Sequence, residues 1–183
     1  EISLEAKMPD YIKHVKVYPN IENGQVVAKI YINPSENAVK GNLKLTLSEK
    51  NGKILVSESG DVELAANQSA IEKTMLVSKK FKMWDEFNPA LYNLTVEWAV
   101  DGNKVSVCEQ FGFRKVEKGA HHIRLNGRNI HLRGLLDCAV FPLTGYPATD
   151  VESWLRIFHT VKEYGLNHVR FHSWCPPEAA FDA

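Results

Sequence analysis

Leu43-Lys44-Leu45-Thr46-Leu47 alternates apolar and polar residues, and Glu49-Lys50-Asn51-Gly52-Lys53 follows it. Period two marks a half-buried strand, because successive side chains point to opposite faces. Asn-Gly between two strand-like runs is a strong hairpin signal. The stretch therefore predicts a β-hairpin with Ile54–Ser57 as its returning strand. Upstream, Val15 and Val17, then Val27, Ile30 and Ile32, fall in two β-rich runs parted by the turn signal Asn20–Gly24. Downstream, Ile71–Ser78, Leu91–Val100 and Lys104–Phe113 are strand-like, and Asp101-Gly102 is a second tight turn. About seven short strands in roughly 105 residues, with turns every 8–12 residues, is the pattern of a β-sandwich.

The chain has 183 residues, which is one domain by size or one and a fraction. It is 44% hydrophobic and 24% charged, enough apolar residue for a real core. Lys+Arg and Asp+Glu are both 22, and no basic run stands out, so the footprint of a nucleic-acid binder is missing. No apolar stretch approaches the roughly 20 residues of a membrane helix, and no basic amphipathic helix points to a membrane surface. No leader pattern is readable at Glu1. Three widely spaced cysteines, Cys108, Cys138 and Cys175, make no disulfide framework and fix no compartment.

The pattern changes near Lys118. Asn126-Gly127 turns one short strand into another, and Ile130–Leu136 is strand-like. Thr149-Asp150-Val151-Glu152 fits a capping box with Thr149 at the N-cap. Val151, Trp154, Leu155, Phe158 and Val161 recur at helical spacing, and Gly165 stands where a helix ends. Leu166–His172 reads as the next strand, and Pro176-Pro177-Glu178 opens a second helix. Strand, helix, strand, helix start is the alternation of a parallel α/β sheet. A (β/α)8 barrel needs about 250 residues, so the part after Lys118 is either the first slice of one or a small α/β appendage; the slice is the reading taken, in a chain expected to be excised from a larger protein.

Four stretches then point to a family. Trp84-Asp85-Glu86-Phe87-Asn88-Pro89-Ala90-Leu91-Tyr92 resembles the W-x-x-x-x-P-x-L-Y stretch of glycoside hydrolase family 2. Phe111-Gly112-Phe113-Arg114 resembles its F-G-F-R, Leu125-Asn126-Gly127 through Leu132-Arg133-Gly134 its L-N-G-x-x-x-x-L-R-G, and Asn167-His168-Val169-Arg170 its N-x-V-R. The four come in the family's order. The resemblance implies a mainly β chain, with residues 1–118 an immunoglobulin-like β-sandwich and residues 119–183 the first βα part of an incomplete TIM barrel. It implies a retaining β-glycosidase parent acting on a carbohydrate substrate, with no cofactor. The two catalytic glutamates would lie beyond Ala183, leaving the fragment inactive. The chain departs from the family after Arg-Gly, with Leu135-Leu136-Asp137-Cys138-Ala139, and after Val-Arg, with Phe171-His172-Ser173-Trp174-Cys175-Pro176. Those segments contact the sugar in the family, so no particular sugar carries over.

Retaining hydrolysis needs two carboxylates about 5–5.5 Å apart. Asp137 is the one carboxylate ending a predicted barrel strand, and it suits hydrogen bonding to substrate better than attack; a plain surface Asp is nearly as good a reading. Arg170 shares a strand face with Leu166, His168 and His172, while Asn167, Val169 and Phe171 share the other. With Val169 and Phe171 against the helices, Arg170 and His172 point into the barrel near its active mouth. An inward Arg holds a neighbouring carboxylate ionised and oriented; the family's matching arginine lies beside the nucleophile, and the bland reading is a structural ion pair. His172 suits a sugar hydroxyl and Trp174 a sugar face, against the bland readings of a buried His and a core Trp. Seven histidines include no His-x-x-x-His on a helix and no Cys-x-x-Cys is present, so a metal site is not expected. Cys138 and Cys175 end adjacent predicted barrel strands and are read as two free thiols in preference to a disulfide, Trp84 and Trp98 as core or interface, and Gly112 as a bulge or close approach. A non-catalytic carbohydrate-binding or adhesive sandwich is the competing reading; it requires exposed aromatics along one sheet face, whereas here they gather at Phe81–Phe87 and in the tail. The unfinished barrel edges are expected to promote self-association.

Overall fold

The computed structural model describes residues 4, 6–7, 11–78 and 81–183; Glu1 lies outside them. Seven strands come first: β1 (Ile12–Asn20), β2 (Gln25–Ile32), β3 (Val39–Glu49), β4 (Ile54–Leu64), β5 (Ala70–Leu76), β6 (Tyr92–Val100) and β7 (Asn103–Phe111). They form two antiparallel sheets, ordered β1-β2-β5 and β4-β3-β6-β7. Alternation decides what is buried. Val26, Ala28, Ile30 and Ile32 of β2, Leu43, Leu45 and Leu47 of β3, and Tyr92, Leu94, Val96 and Trp98 of β6 all face one core. Each Val, Leu or Ile among them contributes about 1.5–3 kcal/mol by leaving water. This is a β-sandwich. Trp98 is fully buried, and Gly41 makes room for it: a Cβ there would lie 2.7 Å from the indole Cη2.

The Asp101-Gly102 turn takes φ of 48° and 79°, the left-handed pair a two-residue hairpin needs. The strand predicted at Ile54–Ser57 runs on to Leu64. It edges its sheet, so Ser57–Asp61 face solvent and lack the apolar alternation, while pairing from Val39↔Leu64 onward holds the backbone. The strand predicted through Phe113 ends at Phe111, and Phe113 turns into the core, stacked on Phe81 with centroids 4.0 Å apart.

Three short strands follow, β8 (Val116–Lys118), β9 (Ile123–Leu125) and β10 (Arg128–Ile130), in a sheet ordered β10-β9-β8. The described residues fall into two compact units. One runs up to Glu117 and takes in Arg124–Arg128; the other holds Lys118–Ile123 and Asn129–Ala183.

The second unit contains β11 (Gly134–Asp137), α1 (Val151–Glu163), β12 (His168–Phe171) and α2 (Glu178–Asp182). β11 and β12 are parallel, with Leu136↔Arg170 and Asp137↔Phe171. The single run expected over Ile130–Leu136 is two strands. Between them the Asn167 side chain takes the His131 carbonyl at 3.0 Å and the Arg133 N–H at 2.8 Å. The N-cap of α1 is Asp150, not Thr149: its carboxylate accepts from the Ser153 N–H at 2.8 Å. Trp154 and Val161 of the expected stripe are buried, and Trp154 meets Phe158 and Phe171 with centroids 5.6 and 6.1 Å away. Val151 and Leu155 are exposed.

Candidate functional site

Residues at the carboxyl ends of parallel strands are where α/β folds place ligands. Here those ends are Asp137 on β11 and Phe171 on β12, and the ladder continues one step, the His172 N–H donating to the Asp137 carbonyl at 2.8 Å. Strand alternation puts Phe171 toward Trp154 of α1 and Arg170 on the opposite face. Arg170 and His172 are both exposed on that face.

The other two candidates lie elsewhere. Asp137 is the register partner of Phe171, so it shares Phe171's face and not Arg170's. Its Oδ1 accepts from the Ala139 N–H at 2.8 Å, which bends the chain as it leaves β11. Trp174 is half-buried among Phe141, Trp154 and Phe171, with centroids 5.7, 6.5 and 5.3 Å away, and its indole N–H reaches the Asp137 carbonyl at 3.4 Å. The structure therefore groups Arg170 with His172, and Asp137 with Trp174.

Ser173 was not legible in the sequence as part of this edge. Its hydroxyl lies 3.0 Å from His172 Nδ1, and its φ is 59°. Ala139, at the end of the neighbouring strand, has a φ of 57°. Non-glycine residues in this region are uncommon and gather at functional edges. Cys138 and Cys175 are exposed free thiols. Among the described residues no group of three His, Cys, Asp or Glu side chains is placed to hold a metal.

The recognised stretches form two fastenings. In the second unit, Asn167 of the N-x-V-R run binds both flanks of Leu132, the His131 carbonyl and the Arg133 N–H, and the Arg133 Nε donates to the Gly165 carbonyl at 2.8 Å. In the first unit, three stretches converge. The Asn126 amide donates to the Trp84 carbonyl at 2.9 Å and accepts from the Lys115 N–H at 2.9 Å. The Arg114 guanidinium lies 4.8 Å from the Trp84 ring centroid. Gly112 is a close approach, since a Cβ there would lie 2.7 Å from the Trp84 Cβ. Glu86 pairs with Arg128 at 2.6 Å, and Arg128 lies over Phe87. The Arg128 hydrogen bond holds the Glu86 carboxyl below the ordinary glutamate value, and the Phe87 and Asn88 N–H groups do the same for Asp85.

Residues 10–114 match the family described as glycosyl hydrolases family 2. The chain belongs to this family. Relatives of the chain include a β-galactosidase of Thermoanaerobacterium thermosulfurigenes, 29% identical over 152 residues, covering 80% of this chain and 21% of that protein. The β-galactosidase large subunit of Lactobacillus acidophilus is 30% identical over 159 residues, covering 84% and 24%. Among solved structures, a family 2 member from Bacteroides cellulosilyticus matches with a TM-score of 0.73 at 21% identity, covering 86% of this chain and 21% of the other. A β-glucuronidase from Parabacteroides merdae matches with a TM-score of 0.72 at 18% identity, covering 95% and 22%. At such identities the structural likeness establishes the fold. The chain spans about a fifth to a quarter of the length of these relatives.

Proposed function

We propose that the whole protein is a retaining exo-β-glycosidase, and that this chain supplies a supporting sandwich and one edge of the active site. The carrying observation is the parallel β11–β12 pair, with helix α1 on one face and Arg170 on the other. On this reading residues 1–118 are the immunoglobulin-like domain, a reading supported by strand order 1-2-5 against 4-3-6-7. Residues 119–183 begin the (β/α)8 barrel, which puts Arg170 and His172 at its active mouth. Arg170 orients a carboxylate, and His172 with Ser173 meets the sugar. Both catalytic carboxylates come from outside this chain, so the 183 residues alone are inactive. The relatives named as β-galactosidases support a terminal β-linked hexose as the substrate class.

The test is hydrolysis of a panel of aryl β-glycosides by the full-length protein, beside Arg170→Ala. Hydrolysis of one glycoside, abolished in a variant with an unchanged circular dichroism spectrum, is the expected result. Full activity in that variant, or turnover by the 183 residues alone, contradicts the assignment. β11 and β12 pair only with each other among the described residues, so their outer edges are open to another copy. Light scattering on the isolated chain is expected to show concentration-dependent association, and a strict monomer would refute it.

A further inference from the structure

The chain holds three Asn-Gly pairs, Asn23-Gly24, Asn51-Gly52 and Asn126-Gly127. Each carries both partners of a ring closure. The glycine backbone nitrogen can join the asparagine Cγ in a five-membered imide, and no glycine Cβ blocks the approach. The fold decides which pair can react, because the side-chain amide must stay free to turn and the glycine nitrogen must be reachable.

Two pairs are tied down. The Asn126 amide donates to the Trp84 carbonyl and accepts from the Lys115 N–H, both at 2.9 Å and partly buried, so its Cγ turns only when both bonds part. Gly24 is buried; its N–H donates to the Asn20 carbonyl at 3.1 Å and its carbonyl accepts from the Val77 N–H at 2.8 Å. The third pair is open. Asn51 and Gly52 are both exposed at the tip of the β3–β4 hairpin, and no atom lies within 4 Å of where a Gly52 Cβ would stand. The Gly52 N–H donates to the Glu49 carbonyl at 2.9 Å, a bond that water replaces at such a tip. The Asn51 Oδ1 accepts from the Lys53 N–H at 3.0 Å, and its Nδ2 donates to the Glu49 carboxylate at 3.1 Å. A side chain bonded to the backbone two residues on is folded back over the residue between, which brings Cγ toward the Gly52 nitrogen. The Lys53 N–H also stands where negative charge develops on Oδ1 as the ring closes.

We propose that Asn51-Gly52 is a self-modification site, at which the folded protein turns Asn51 into a mixture of aspartate and isoaspartate and releases ammonia. Hydroxide takes the Gly52 amide proton, and the nitrogen's electron pair forms the bond to Cγ. The Cγ–Nδ2 bond then breaks, and Nδ2 leaves as ammonia with a proton from water, which restores the hydroxide. A second water opens the imide at one carbonyl or the other. The product sets a carboxylate against Glu49 where an N–H donor stood. Isoaspartate also adds a carbon to the backbone of the turn that holds β3 and β4 in register.

The experiment incubates the full-length protein in mildly alkaline buffer, folded and in urea, and follows each pair by peptide mass spectrometry. An isoaspartyl-specific carboxyl methyltransferase labels the isoaspartate independently. In the folded protein Asn51 is expected to convert about tenfold faster than Asn23 or Asn126, and in urea the three rates are expected to converge. A folded rate at Asn23 or Asn126 equal to that at Asn51 overturns the assignment. So does the same spread of rates in urea, since local sequence rather than the fold would then set them. Conversion of Asn51 that is about tenfold slower in the folded protein than in urea also overturns it, being the mark of a turn that protects its amide.

Discussion

Replacing Asn126 by glycine removes one side chain and no turn. Asn126 has a φ of 52° and Gly127 one of 81°, so the β9–β10 turn already uses left-handed backbone, which glycine accepts without strain. What is lost is the donor to the Trp84 carbonyl and the acceptor for the Lys115 N–H, both 2.9 Å long and partly buried. Each such bond contributes about 1 kcal/mol net, and each group left unpaired away from water adds about 1 kcal/mol or more. With water reaching one of the two freed groups, the loss comes to about 3–4 kcal/mol, including about 0.5 kcal/mol for the looser unfolded chain. The melting temperature is then expected to fall by about 7–14 °C. Urea and thermal unfolding of the 183-residue chain, followed by tryptophan fluorescence, measures it. Asn126→Ala lacks the same bonds and adds left-handed strain, so it is expected to lie about 1 kcal/mol below the glycine variant. A glycine variant within about 0.5 kcal/mol of the parent would refute the idea that Asn126 ties the two stretches together.

Asp150→Ala is expected to cost about 1 kcal/mol and to speed hydrogen exchange at the Ser153 amide, while Thr149→Ala leaves both almost unchanged; the reverse order would put the cap back on Thr149. Arg128→Met tests the Glu86 pairing by pH. A depressed glutamate stabilises the fold fully above its ordinary value of 4.5 and loses that contribution as pH falls through the lower folded value. The parent's urea midpoint is therefore expected to fall more steeply on acidification below 4.5 than the variant's; Asp85, held down mainly by the Phe87 and Asn88 N–H groups and in small part by Arg128, adds to the difference in the same direction below its own 3.8. Identical acid slopes would show that Arg128 does not hold Glu86 ionised.

Local signals made much of the fold readable. Asp101-Gly102 and Asn126-Gly127 each mark a turn because few residue pairs accept two left-handed residues in a row, and Asn51-Gly52 marks one in which Gly52 alone is left-handed. The core alternation of β2, β3 and β6 is equally plain. The far half of β4 is not, since an edge strand is ordered by its partner's backbone and not by its own side chains. The cap of α1 was ambiguous because Thr149 and Asp150 are both good N-cap residues, and only the bond to Ser153 separates them. At the candidate site, period two sorted Arg170 and His172 from Phe171. The face of Asp137 depends on the Asp137↔Phe171 register, a pairing between distant stretches that no local pattern encodes. The left-handed Ser173 and Ala139 are likewise set by surroundings rather than by residue type.

The excursion of Arg124–Arg128 back into the first unit bears on how such genes can be rearranged. A segment ending at Glu117 encodes a sandwich without Asn126 and Arg128, with the Trp84 carbonyl and one oxygen of Glu86 left without their donors. A segment starting at Arg124 carries off a tip whose partners stay behind. Recombination between these modules therefore has no neutral crossover near residue 118: exchange of the sandwich must bring the 124–128 tip with it, or the two must be inherited as one piece.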